Sequence, residues 1–414
     1  MKMKISLFQG VLMAVFVIGA LIGLFVFATY TSNSSGGNTI GPVVIWGTLP
    51  GDDFQNAITA IAEVNEGLKS VTYEEKSAVT LSADLASAIA TENAPDLVLA
   101  SQEELVALAK FITPIPLGTV SESTFSSTFV SEGDLLSVPF GGGYFGIPIL
   151  LDPLVLFSNR AILSSNGIAK PPATWEALTG LVPNIAELTP NRQVVRGLIA
   201  LGTYDNVRNA RGILSALLLQ QNVPISSYRE SGELIADLGR MDGSIPAGPA
   251  VLGFYTQFAD PSKVSYTWNP SLRNSRQAFV AGDLALYLGF ASEARFLTPA
   301  NPNLDFDVSP LPQPATAKLK GTYGLLYSLM IPRGAKNPGG AFQAAAALSN
   351  PLEQNALASA TGLAPATLTP LSEQPSDPIA AVAYASALYA KGWLSPLPAD
   401  TDRIFSGMIG NVIS

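Results

Sequence analysis

Strand and helix signals alternate over residues 43–110, which predicts an α/β fold, a largely parallel sheet with helices on both faces. Length adds a second feature: 414 residues exceed what one hydrophobic core usually serves, so two lobes are expected. An uncharged run over residues 5–30 adds a third, one membrane-spanning helix ahead of the α/β part.

Lys2 and Lys4 precede that run, and its core, residues 11–27, is almost wholly apolar. The next basic residue is Lys69. Positive charge on the N-terminal side alone orients the N-terminus to the cytoplasm and everything after residue 31 to the outside. A cleaved signal has an apolar run of roughly 7–15 residues ending in small residues at the cut. This run is longer, and Phe27-Ala28-Thr29-Tyr30 is a poor cut site, so residues 1–30 are expected to stay as a single-pass anchor. Residues 31–41, rich in Ser, Asn, Gly and Thr, read as a flexible tether.

Residues 42–47 form a short apolar strand ending in Trp46 and Gly47. Phe54, Ile58, Ile61 and Leu68 recur at helical spacing over 54–68. A strand at 71–75, a helix at 82–91, a strand at 95–99 and a helix at 101–110 follow. Ligands of such sheets bind beyond the carboxyl ends of the strands, which points to the stretch from Trp46 through Asp52 and Asp53, and to Ser101 and Gln102.

An apolar run at 147–157 then leads to a second region. There, 196–203 reads as a buried strand with Tyr204 and Asn206 at its carboxyl end, and 209–221 as a helix. Residues 279–290 read as a helix end, a turn at Gly282 and a strand ending at Gly289. Residues 305–312 bring the chain back, 323–332 form a strand, 340–349 an Ala-rich helix, and 361–365 cross again. A last helix at 378–389 and a tail complete the chain.

Charged residues are only 13% of the chain, against roughly 25% in an average soluble protein, and the formal net charge is −9. Such a surface argues against nucleic acid and anionic lipid, both of which need clustered Lys and Arg. The absence of cysteine excludes disulfides, Cys metal sites, thiol nucleophiles and a Cys-borne lipid. The absence of histidine excludes Ser-His-Asp triads and His-based zinc sites. No cofactor or metal motif is present. Gly141-Gly142-Gly143-Tyr144-Phe145-Gly146 matches G-x-G-x-x-G literally, but Ile147-Pro148-Ile149 follows where a dinucleotide site needs a helix, so it reads as a turn.

Several stretches share an order with a known family. They are Val44-Ile45-Trp46-Gly47, Ala94-Pro95-Asp96-Leu97-Val98, residues 145–178, Ala278-Phe279-x-x-Gly282-x-x-Ala285-x-Tyr287-x-Gly289, residues 301–312, and Gly334-Ala335-Lys336-Asn337-Pro338. Over roughly residues 43–366 the chain thereby resembles the extracellular solute-binding proteins of ABC importers, of the sugar-binding, maltose-binding-protein-like branch. The resemblance implies a type II-like periplasmic-binding-protein fold of two α/β lobes joined by hinge crossings and closing on a ligand. It implies lobe 1 over 42–147 and 312–360, and lobe 2 over 148–311 and 361–414. The departure from the family is the anchor, a transmembrane helix in place of a lipid.

Sugars offer apolar CH faces to aromatic rings and hydroxyls to carboxylates and amides. On that chemistry the candidate ligand-binding residues are Trp46, Asp52, Ser101, Gln102, Tyr144, Phe145, Asp152, Tyr204, Asn206, Trp268, Phe290, Glu293 and Tyr323. Tyr144 and Phe145 stand at the mouth of the first crossing, and Asp152 is an isolated charge within it. Trp268 is loop-like, and Phe290 and Glu293 follow a strand end. Trp175 and Trp393 read as packing residues.

The expectation is an extracytoplasmic receptor, tethered to the cell membrane by its N-terminal helix. It captures a small solute, an oligosaccharide, and hands it to the permease subunits of an ABC transporter. A ligand-sensing module without transport and a surface protein that has lost ligand binding are the alternatives. A carboxylate-pair glycosidase has no motif in the chain, which does not read as an enzyme.

Overall fold

The computed structural model describes residues 40–239 and 247–413. The expected membrane helix, 1–30, lies outside those residues, as does all of the 31–41 tether but its last two. Among the described residues no helix is long and apolar enough to cross a membrane.

β1 (Val43–Gly47) leads into α1 (Gly51–Val64), β2 (Val71–Glu75) into α2 (Leu81–Ala90), and β3 (Leu97–Ser101) into α3 (Gln102–Leu108). β1 pairs in parallel with β2 on one side and β3 on the other. Each helix returns the chain over the sheet and lays an apolar stripe on it; in α1 the buried residues are Phe54, Ala57, Ile58, Ile61 and Ala62. The turn from β3 into α3 has no intervening loop. Ser101 accepts from the Glu103 amide and forms a capping box with Glu104, so the helix starts at the last residue of the strand. That fixes Gln102 and Glu103 at the carboxyl edge of the sheet.

After α4 (Glu122–Thr128) comes β4 (Ile147–Asn159), thirteen residues buried throughout. The glycine run before it is a turn, as the sequence suggests. Gly143 has φ +122°, and a Cβ there would fall 1.9 Å from the Ile115 carbonyl oxygen, so only glycine fits. β4 serves both halves of the molecule. Residues 147–153 pair with β11 (Thr322–Met330), and 154–158 pair with β9 (Leu284–Phe290). The two prolines of β4 sit where a missing N–H is tolerated. Pro148 lies beside a bulge opposite Tyr327 and Ser328, and Pro153 stands at the handover from β11 to β9.

The second half contains α5 (Arg160–Ser165), α6 (Trp175–Ile185), β5 (Glu187–Leu188), β6 (Val194–Ile199), α7 (Ala210–Gln220), the hairpin β7 (Ser226–Tyr228) and β8 (Leu234–Ala236), α8 (Ala247–Thr256), α9 (Ser275–Ala281), β9 and α10 (Ala294–Ala300). β10 (Phe306–Pro310) returns antiparallel to the distal part of β4. After β11 come α11 (Pro338–Leu348), α12 (Pro351–Thr361), β12 (Ala364–Pro365), α13 (Leu368–Leu371), α14 (Pro378–Ala387), β13 (Ala390–Lys391) and α15 (Pro398–Ile413). The main sheet runs β2-β1-β3-β11-β4-β9-β6-β5, so β4 is its central crossing element.

Two expectations are corrected. β6 ends at Ile199, and 200–203 continue buried but outside the ladder, because the chain turns there toward the helix it must enter. The tail after residue 389 is ordered, as β13 and the sixteen-residue α15. α15 buries Thr401, Phe405 and Ile409, one per turn, with Phe405 stacked on Trp393 at 6.2 Å. Trp393 in turn donates its indole N–H to Ser215 of α7.

Candidate functional site

A cleft of about 480 Å³ opens between the two halves, at the carboxyl ends of β3, β6 and β9. Glu103 and the β11 residues Tyr323 and Leu325 wall it from the first half, and Tyr204, Arg208, Asn209, Arg211, Gly212 and Phe290 from the second. Asp402 of α15 closes one side. This volume lies within the range of small-ligand sites.

The polar groups form a connected network. Arg211 pairs with the Glu103 carboxylate and, at 3.1 Å, with Asp402. Tyr323 donates its hydroxyl to the other oxygen of Glu103, and Tyr204 donates to Asp402. Burial, with the Glu103 charge beside it, raises the Tyr323 phenol far above its ordinary range, so it stays a donor. Burial and the Asp402 bond do the same for Tyr204. Asn209 is aimed by Glu293, which accepts from its amide at 2.6 Å and also receives the Tyr287 hydroxyl. The floor is flat because Gly212 is a glycine: a Cβ there would lie 3.2 Å from the Tyr323 ring and 3.3 Å from that of Phe290.

Three sequence candidates therefore line the cleft: Tyr204, Phe290 and Tyr323. Glu293 stands behind it, 7% exposed, and acts through Asn209. Asp152 lies at the β4 handover, where its carboxylate accepts from the Ser292 amide at 3.1 Å and from the Ser292 hydroxyl. Burial raises its pKa to about 7 against those bonds.

The other candidates are placed elsewhere. Trp268 is 1% exposed, with its indole N–H given to Asn206, so no ring face is open to a ligand. Asn206 is consumed by the same packing: its amide donates to the Asn269 and Leu272 carbonyls, and its oxygen also accepts from Thr203. Gln102 is fully buried and bridges the Gly324 carbonyl and the Leu326 amide of β11. Ser101 is the cap of α3. Tyr144 stacks on Phe125 at 3.7 Å within the first half, and Phe145 next to it is half-buried, its amide bonded to Leu136. Trp46 is half-buried with Lys76 over its ring at 4.1 Å, and Asp52 is exposed in the first turn of α1. None of these lines the cleft.

Sequence reasoning passed over Glu103, Arg208, Asn209, Arg211 and Asp402. Glu103 follows Gln102 and obeys the same strand-end rule, and Asn209 and Arg211 open the helix after a buried strand. The signal for Asp402 was the Thr401, Phe405, Ile409 spacing, a helical stripe in what was read as a tail. Among the described residues no group of His, Cys, Asp or Glu is placed to hold a metal ion.

The sequence profile of a bacterial extracellular solute-binding protein family matches residues 56–383. No match is found among curated proteins. Solved structures of similar fold include a cyclic α-maltosyl-1,6-maltose binding protein from Arthrobacter globiformis, with a TM-score of 0.71 at 14% identity over 90% of this chain and 94% of that one. A cyclo/maltodextrin-binding protein complexed with maltotetraose aligns with a TM-score of 0.70 at 15% identity over 92% and 94%. An ABC substrate-binding protein from Listeria monocytogenes in complex with cycloalternan aligns at 0.65 and 16% over 90% and 94%. At these identities the likeness carries the fold, a mixed α/β fold of the periplasmic-binding-protein kind.

Proposed function

This chain belongs to the bacterial extracellular solute-binding proteins, and we propose that it captures an oligosaccharide in its interlobe cleft and delivers it to an ABC permease. Its work is binding and release, not catalysis. One observation carries the sugar reading: the half-buried rings of Tyr204 and Phe290 share a cleft with the carboxylates of Glu103 and Asp402. Rings suit the CH faces of a sugar, and carboxylates suit its hydroxyls. The ligands held by the structural neighbours, maltotetraose and cycloalternan, are of this class.

The lobes on this reading take 42–147 with 312–360, and 148–311 with 361–414, and β4 runs across their boundary. The apolar run at 5–30, with Lys2 and Lys4 before it, supports an N-terminal anchor that keeps the receptor outside and close to its permease. Two experiments test these points. A ligand that binds only the folded chain raises its melting temperature with concentration. A screen of malto-, cello- and xylo-oligosaccharides beside polyamines should therefore give a shift with one sugar series; a shift with polyamines alone refutes the sugar. Alkaline extraction of expressing cells should leave the full chain in the membrane pellet and release a chain lacking 1–41; release of both refutes the anchor.

A further inference from the structure

Outside the cleft wall a second ionic contact joins the two halves. Arg295 lies in α10, just beyond the end of β9 in the second half. Its guanidinium pairs with Asp53 at 2.8 Å and donates to the Ala360 carbonyl at 2.9 Å. Asp53 is in the first turn of α1, and Ala360 in the last turn of α12, which packs on α1 in the first half. Each contact is chemically apt. A carbonyl in the last turn of a helix has no intrahelical donor, so Ala360 is free to accept from a cation.

The arginine stem rests on the third crossing: a Cβ on Gly362 would lie 3.7 Å from Arg295 Cδ. Ser292, one turn earlier, is bonded to Asp152 of β4, so the start of this segment is fixed at the handover while Arg295 reaches across. Neither Arg295 nor Asp53 lines the cleft.

We propose that Arg295 and Asp53 form a clasp between the lobes that sets how far the receptor closes, and through closure its affinity, without touching the ligand. Any rotation that parts α10 from α1 breaks the pair, and closure restores it. A contact made in only one of two states adds its free energy to that state, and a ligand that needs that state binds more tightly for it. The consequence for affinity rests on the receptor reading above; the control of closure does not.

The absence of cysteine makes the test clean. Cysteines at the exposed positions Ala60, in α1, and Lys170, after α5, take spin labels on opposite halves of the full chain in detergent micelles. Double electron–electron resonance should then show longer or broader distances in R295Q and in D53N than in the parent. The double variant should shift no further than either single one, because both remove the same contact. Distances unchanged in either variant, or shifts that add in the double, overturn the clasp. Where maltotetraose binds the parent, R295Q should bind it about 3- to 10-fold more weakly. Failure of the parent to bind any sugar sinks the sugar reading and leaves the distance test standing.

Discussion

Arg211, at the start of α7, reaches across the cleft to Glu103, at the start of α3, and holds Asp402 with its other amino group. One cation therefore bridges two carboxylates from segments about 300 residues apart in the chain. Arg211→Ala leaves Glu103, 8% exposed, with Tyr323 as its one remaining side-chain partner among the described residues. Removing one partner of a mostly buried pair strands the other charge, so a loss of about 2 kcal/mol is expected in urea unfolding, with ligand binding abolished. Glu103→Gln keeps the shape and should lose less stability, about 1 kcal/mol. Equal stability of Arg211→Ala and the parent contradicts this.

Stability should fall as pH rises through neutrality. Burial raises Asp152 and Glu104 to about 7 and Glu132 to about 8. In an unfolded chain such groups titrate near pH 4. Between about pH 4 and 8 the folded chain therefore holds more protons than the unfolded one, and unfolding becomes easier with each step up in pH. The urea midpoint should be lower at pH 8 than at pH 5, and Glu132→Gln should flatten that slope. A midpoint that climbs over this interval counts against the assignment.

Gly212 should act as a volume gate. Its missing Cβ leaves the space between the Tyr323 and Phe290 rings, and Gly212→Val fills it from the floor. Helix propensity changes little between Gly and Val, but both rings must give way, so the expected result is a folded chain, about 1–3 kcal/mol less stable than the parent, whose ligand affinity is at least about tenfold lower. Unimpaired binding in a folded Gly212→Val places the ligand elsewhere.

The layers of the fold were legible because burial imposes a period. Phe54, Ile58 and Ile61 on α1, and the apolar run of β4 around Asp152, announce their faces without tertiary information. The cleft was legible only in part. The strand-end rule points to the edge of the sheet where the cleft lies, and it brought out Tyr204 and Phe290, but it does not say which residue of a turn points outward. At the end of β3 it favoured Ser101 and Gln102, which the helix cap and the β11 backbone consume, over Glu103, which faces the cleft. Trp268 misled for a related reason. Its stretch lacks regular structure, as an exposed platform would, yet Asn206 draws the indole into the core through a contact across 62 residues. Asp402 was hidden by a helix read as a tail, and its place in the cleft depends on Trp393 and Phe405 docking α15 on the second half.

Calorimetric titration of the full chain in detergent, with malto-, cello- and xylo-oligosaccharides and with polyamines, tests the receptor reading most directly. The expected result is one saturable sugar at one site per chain, with Kd about micromolar or tighter, lost in Asp402→Ala and kept in Trp268→Phe. Silence across every sugar, from a chain shown to be folded, contradicts it.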